Sequence, residues 1–255
     1  MQPIRLLALD FDGVIVDSVL ECAVVAYNGF QAYQGLDSRI KSPQDIPVNT
    51  LREFRSMRSF IRSGEDYLYL FQAMDEGITI ADQRNFDEFQ DTHLDRKELY
   101  YQLFYAEREA LSISDHESWM LLNPFFPEIT KLIIQIAHWS GFYFVSTKAT
   151  RYIYELLNFN GISVNQRRIR QAGPGKSKPN IICELLDEIK AIPEEAYFID
   201  DHPDTVKKVV KETGVFGLIA SWGYNNPEQC YASSGKNISS ISIKEFLILF
   251  RESLL

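Results

Sequence analysis

The sequence predicts an α/β protein: a parallel sheet between two layers of helices, with a helical subdomain inserted after the first strand. Three observations predict it. Short apolar runs end abruptly in polar residues. Helical periodicity separates the later runs, as strand–helix alternation in a parallel sheet requires. Between the first and second runs lie about 100 residues with helical periodicity alone, too many for a simple crossover.

In chain order, the first run is Ile4 to Leu9, and it stops at Asp10-Phe11-Asp12-Gly13. A buried parallel strand that delivers polar residues to a loop has this form. From Val19 to Asn123 no buried strand is apparent. Leu51, Phe54, Met57, Phe60 and Ile61 recur at helical spacing, as do Leu99, Leu103 and Tyr105-Ala106. Ser63-Gly64 and Glu76-Gly77 mark breaks, giving about four helices. The later apolar runs are Phe142–Val145, ending in Ser146-Thr147-Lys148; Ala196–Ile199, ending in Asp200-Asp201; and Phe216–Ala220, ending in Ser221-Trp222-Gly223. Helical patterns cover Glu128–Ser140, Arg151–Asn160, Pro179–Lys190 and Thr205–Thr213. The expected division is a Rossmann-like three-layer core over 1–18 and 124–255, and a helical cap over 19–123.

Composition narrows the function classes. Hydrophobic residues make up 45% of the 255 and charged residues 24%, ordinary for a globular chain. A net charge of −9 argues against a nucleic-acid partner, which needs a basic surface. Cys22, Cys183 and Cys230 form neither a C-x-x-C pair nor a disulfide framework, which predicts a reducing compartment. No apolar run approaches the ~20 residues that span a bilayer, and the apolar start is too short for a signal peptide. The expectation is a soluble, cytoplasmic protein without a membrane partner.

The polar strand ends carry the chemistry. Asp10, Asp12, Ser146, a lysine near 176 and Asp200-Asp201 all fall on one edge of a doubly wound sheet. Carboxylates gathered there repel one another unless a divalent cation sits among them, and oxygen ligands suit magnesium. A hydroxyl and an ammonium beside that ion make a place for phosphoryl oxygens.

Asp10-Phe11-Asp12-Gly13-Val14-Ile15-Val16-Asp17-Ser18 resembles the first motif of the haloacid dehalogenase-like superfamily. Ser146 is similar to the second motif, Lys176 to the third and Asp200-Asp201 to the fourth. Trp222-Gly223-Tyr224 followed by Pro227-Glu228 resembles a segment of phosphoglycolate phosphatase-like members. The resemblance implies a phosphatase acting on a small phosphorylated metabolite. Asp10 is then the nucleophile that forms an aspartyl-phosphate, and Asp12 the general acid and base. Magnesium is expected on the Asp10 carboxylate, the Asp12 main-chain carbonyl, Asp200 and Asp201. Ser146, Thr147 and Lys176 are the expected substrate contacts, although relatives often carry asparagine at the Thr147 position. Lys176 fits the family spacing, three residues before Pro179 and 25 before Asp201, while Lys178 does not. Asp204 stays open as a further ligand, because Asp200 and Asp204 restore a D-x-x-x-D spacing.

Plainer roles compete at several positions. Ser146-Thr147 is placed to N-cap the following helix, Lys148 reads as a solvated helix-start residue, and His202 as a neighbour of the acids rather than a ligand. Arg52, Arg55, Arg58 and Arg62 recur at steps of three, three and four. On one helix they form a basic stripe, either a solvated face or a holder for a second anionic group of the substrate. A phosphomutase of the beta-phosphoglucomutase type would use the same residues. So, for ligand binding alone, would a non-catalytic relative. The dehalogenase branch is disfavoured by Asp12, and a receiver-type signalling domain by the order of the motifs.

Overall fold

The computed structural model describes residues 3–173, 175–225, 227–233 and 235–254. The chain runs β1 (Leu6–Leu9), α1 (Val19–Tyr33), α2 (Val48–Ser56), α3 (Asp66–Asp75), α4 (Gln83–Asp91), α5 (Lys97–Ser114), α6 (His116–Leu121), α7 (Pro127–Ile136) and β2 (Phe142–Ser146). It continues with α8 (Thr150–Phe159), β3 (Ile169–Gln171), α9 (Lys178–Ile189), β4 (Ala196–Asp200), α10 (Pro203–Thr213), β5 (Phe216–Ala220), α11 (Pro227–Ser233), β6 (Ile238–Ile241) and α12 (Ile243–Leu254). It divides into two compact units, Met1–Asp17 with Phe125–Leu255, and Ser18–Pro124.

The first unit holds one sheet in the order β3-β2-β1-β4-β5-β6, with every pairing parallel. The four central strands are the apolar runs of the sequence, buried on both faces. On one face Leu6, Ala8, Tyr143, Val145, Ala196 and Phe198 pack against Ile181 and Leu185 of α9 and Val206 and Val209 of α10. Alternation sends Leu7, Phe142, Phe144 and Tyr197 to the other face, where Tyr197 meets Phe250 of α12 edge-on at 5.6 Å. Helices on both faces make three layers. The order of strands reverses at β1, which lies between β2 and β4. A ligand site is expected at the carboxyl end of that junction.

The edge strands β3 and β6 escape the sequence reading for a physical reason. Ile169-Arg170-Gln171 and Ile238-Ser239-Ser240-Ile241 are short and mostly polar, as edges that resist further pairing tend to be.

The second unit contains six α-helices among the described residues, where the sequence pattern gives about four. Phe60, Tyr67, Phe71, Tyr100 and Phe104 are buried in its core, while Tyr101 stays exposed and Tyr105 half-buried. Glu21 of α1 is wholly buried and takes both arms of Arg108 from α5, at 2.8 and 2.9 Å. The Trp119 indole N–H of α6 donates to the same carboxylate at 3.2 Å. Three helices are thereby tied at one buried charge.

The arginine stripe does not form as a single helix face. α2 ends at Ser56, a 3-10 turn spans Arg58–Phe60, and Ile61 is extended. Three residues per turn put Met57 and Phe60 on the same side, and both are buried. Arg52 and Arg55 remain exposed on α2. The Arg58 guanidinium lies over the Tyr67 ring, and Arg62 forms a bidentate pair with Asp87 of α4, at 2.6 and 3.1 Å. Among the described residues no helix is long and apolar enough to cross a membrane.

Candidate active site

The loop after β1 is a tight turn. Gly13 N–H donates to the Val16 carbonyl, and Ile15 and Val16 N–H both donate to the Phe11 carbonyl. Gly13 has φ +78°, and a Cβ there would stand 2.2 Å from Asp201 Oδ2. From the other side, a Cβ on Gly223 would stand 2.3 Å from Asp201 Cβ. Asp201 is therefore held between two backbone segments that only glycine lets approach so closely. Its Oδ2 accepts the Tyr224 N–H at 2.7 Å, and its carbonyl accepts the Asn225 amide at 3.0 Å. The Tyr224 hydroxyl reaches back to Asp17 Oδ1 at 2.5 Å, and the Trp222 indole donates to the Val14 carbonyl at 3.0 Å. The Trp222-Gly223-Tyr224 segment is thus the support of Asp201, a role its sequence alone did not disclose.

Asp10, Asp200 and Asp201 are all buried, and each offers a carboxylate oxygen within 4.8 Å of the others'. Asp200 closes β4, where its Oδ1 accepts the His202 N–H at 2.8 Å. Burial pushes the Asp10 carboxyl up to about 6. The Lys178 ammonium pulls against that, Asp200 adds to it, the Ser146 hydroxyl opposes it and Asp12 adds to it. Asp10 Oδ1 is buried, and its near neighbour is the Lys178 ammonium at 3.0 Å. A buried cluster of hard oxygen donors, one of them costly to ionise, suits a divalent cation. Asp204 lies apart, exposed on α10 with its carboxylate 3.5 Å from Lys207.

The lysine assignment needs correction. Lys178 Nζ lies 3.0 Å from Asp10 Oδ1 and 2.7 Å from Asp200 Oδ2. Burial works against this ammonium, but the attraction of Asp10 and Asp200 outweighs it and holds the group above the ordinary lysine value. Lys176 instead pairs with Glu184 at 2.7 Å on the surface. The cause is local. Gly173 and Lys176 exchange two backbone hydrogen bonds of 3.0 Å, with Gly175 at φ +84°. That turn directs Lys176 outward. Ser177 then N-caps α9, its hydroxyl accepting from Asn180 N–H, so Lys178 becomes the first helical residue.

The end of β2 also differs from expectation. Ser146 is buried beside Asp10, as placed by the sequence, but Thr147 is exposed. Neither caps α8, whose N-cap is Ala149. Lys148 is not a solvated residue: its side chain is 1% exposed and its ammonium lies 3.0 Å from Asp12 Oδ1. A lone lysine gives no sign of this in sequence, because the partner is 136 positions away.

No family model matches the chain. A phosphoglycolate phosphatase of Vibrio parahaemolyticus is 26% identical over 252 residues, covering 96% of both chains. Among solved structures, a haloacid dehalogenase-like family hydrolase of Streptococcus pneumoniae superposes with a TM-score of 0.62 at 18% identity, over 98% of this chain and 100% of that one. A predicted phosphoglycolate phosphatase of Haemophilus somnus does so with a TM-score of 0.58 at 13% identity, over 98% and 99%. The sheet order and the helical insertion give this chain the fold of these haloacid dehalogenase-like hydrolases.

Proposed function

We propose that this enzyme is a magnesium-dependent phosphatase that hydrolyses a small phosphorylated metabolite through an aspartyl-phosphate on Asp10. The observation that carries the reading is the charge arrangement. Four carboxylates (Asp10, Asp12, Asp200 and Asp201) face two ammonium groups, Lys148 and Lys178. The shortfall is the charge of one divalent cation. Asp10, Asp200 and Asp201, with the Asp12 main-chain carbonyl, are the residues that would hold magnesium. When bound, it would supply positive charge to the phosphoryl oxygens.

The chain's own residues divide the remaining work. An Asp10 oxygen attacks phosphorus as the bond to the leaving oxygen breaks, and the Asp12 carboxyl gives that oxygen its proton. The Asp12 carboxylate then takes a proton from water, whose oxygen attacks phosphorus and frees Asp10. A carboxylate approaching a phosphate meets repulsion of roughly 4 kcal/mol per charge pair at an intermediate dielectric. Lys178, already between Asp10 and Asp200, is placed to offset it. Ser146 is placed to hold a phosphoryl oxygen.

The curated relative supports phosphoglycolate, a small ester with a carboxylate at its far end, as the first substrate to test. Phosphate release should be followed across a panel of phosphorylated metabolites with and without magnesium, on the native enzyme and on Asp10→Asn. Turnover that needs magnesium and vanishes in Asp10→Asn is expected. A variant that keeps a tenth of the activity would show that Asp10 is not the nucleophile. Interconversion of sugar phosphates without net phosphate release would favour the phosphomutase.

A further inference from the structure

Lys148 has no part in the reaction just outlined beyond its charge, yet its ammonium is almost wholly buried. Burying an ammonium is costly unless it is paired and hydrogen-bonded. This one is 1% exposed and sits 3.0 Å from Asp12 Oδ1, while the Asp12 side chain keeps 23% of its surface open. The strand fixes the lysine. Ser146 closes β2, and the Lys148 backbone N–H lies 3.4 Å from the Ser146 hydroxyl. Lys148 is thus anchored to the sheet, whereas Asp12 lies on the turn that follows β1.

Asp12 also has an alternative that would disable it. Its carboxylate is of the same chemistry as the three that form the cation cluster, and it lies two residues from one of them. A carboxylate that joined a cation there would no longer be available to carry protons to and from substrate oxygens. An ammonium competes for it, and being cationic cannot itself become a ligand. That ammonium lies 3.0 Å from Asp12 Oδ1, and among the described residues the cluster comprises Asp10, Asp200 and Asp201.

We propose that Lys148 is a positioning residue that holds the Asp12 carboxylate outside the cation cluster, where it can reach the leaving oxygen and the attacking water. The proposal rests on the reading of Asp12 given above, and a double-mutant cycle separates the two. Lys148→Met, Asp12→Asn and the double variant are assayed in the full-length enzyme with magnesium. Two substrates are used: phosphoglycolate, whose leaving alkoxide needs a proton, and nitrophenyl phosphate, whose leaving phenolate does not.

Lys148→Met should lower kcat by about 10- to 100-fold on phosphoglycolate, and by distinctly less on nitrophenyl phosphate, with KM within about threefold, since proton delivery contributes roughly 10²–10⁴-fold in all. Added to Asp12→Asn, it should cost less than about twofold, because a residue that acts through another has nothing left to position. Equal losses in both backgrounds with a raised KM would mean that Lys148 touches the phosphoryl group itself, and would overturn the proposal. So would native activity in Lys148→Met. Near-native activity in Asp12→Asn would instead remove the reading of Asp12, and the proposal with it. If Lys148→Met does not melt cooperatively, Lys148→Gln, which keeps a donor, takes its place in the cycle with the same expectations.

Discussion

Replacing Lys178 by methionine removes a charge that touches both Asp10, the proposed nucleophile, and Asp200 at the end of β4, and that lies over the Phe198 ring, while keeping the length of the side chain. At 2.7 and 3.0 Å and an effective dielectric of ~20, each attraction is roughly 5–6 kcal/mol before desolvation is counted. Most of that is offset by the burial of the ammonium. What remains, when one partner of a buried pair is truncated, is about 3–5 kcal/mol. Metal-free Lys178→Met should therefore lose stability of that order in urea melts at pH 8. Magnesium should restore part of it by supplying charge to the same carboxylates. In initial-rate assays of phosphate release, kcat should fall about 10²–10³-fold, the usual cost of one donor aimed at developing charge. Lys176→Met breaks only an exposed pair with Glu184, and should stay within about 0.5 kcal/mol and twofold of the native enzyme. The reasoning is refuted if Lys176→Met is the more damaging of the two, or if both are mild.

Two further outcomes follow from charges already described. Because the Asp10 carboxyl sits at about 6 without a cation, protons and magnesium compete for it. Apparent magnesium affinity should be flat above that pH and fall about tenfold per unit below it, with proton release on binding near pH 6 but not at pH 8. Calorimetry in two buffers of different ionisation enthalpy measures both, and equal affinities at pH 5 and 8 would contradict the assignment. In the helical unit, Arg108→Met should cost about 3–5 kcal/mol in urea unfolding by leaving the Glu21 charge buried without its cation. Glu21→Leu with Arg108→Met should recover most of it, and a single variant as stable as the native chain would rule out a structural role for the pair.

Much of the core was legible because its signals are local. A buried parallel strand must be a continuous apolar run, so Leu6–Leu9, Phe142–Ser146, Ala196–Asp200 and Phe216–Ala220 announced themselves. The residues that end them, Asp10, Ser146, Asp200 and Asp201, do lie together. What escaped was decided by small turns and distant partners. A spacing rule chose Lys176, but two hydrogen bonds between Gly173 and Lys176 shift which lysine opens α9. Periodicity ran four arginines along one helix, but burial of Met57 and Phe60 tightened the backbone after Ser56. Lys148 looked solvated because nothing near it in sequence suggests a buried acid.

The order of the strands also sets a schedule for synthesis. β1 precedes both of its partners in the chain and lies in the middle of the sheet, with Leu7 paired to Phe142 on one side and to Tyr197 on the other. As the chain emerges from the ribosome, this apolar strand has no partner until the whole helical insertion and β2 have followed it. The two crossings into and out of the helical insertion meet within the sheet unit: Val16 bridges Phe125, and the Phe126 N–H donates to the Ile15 carbonyl. An insertion that folds early, clasped by Glu21 and Arg108, would hold those crossings together and shorten the loop that β1 and β2 must close. On this view the helical unit serves the nascent chain before it serves any substrate, and variants that loosen the clasp should leave more chain aggregated during expression than their equilibrium stability alone accounts for.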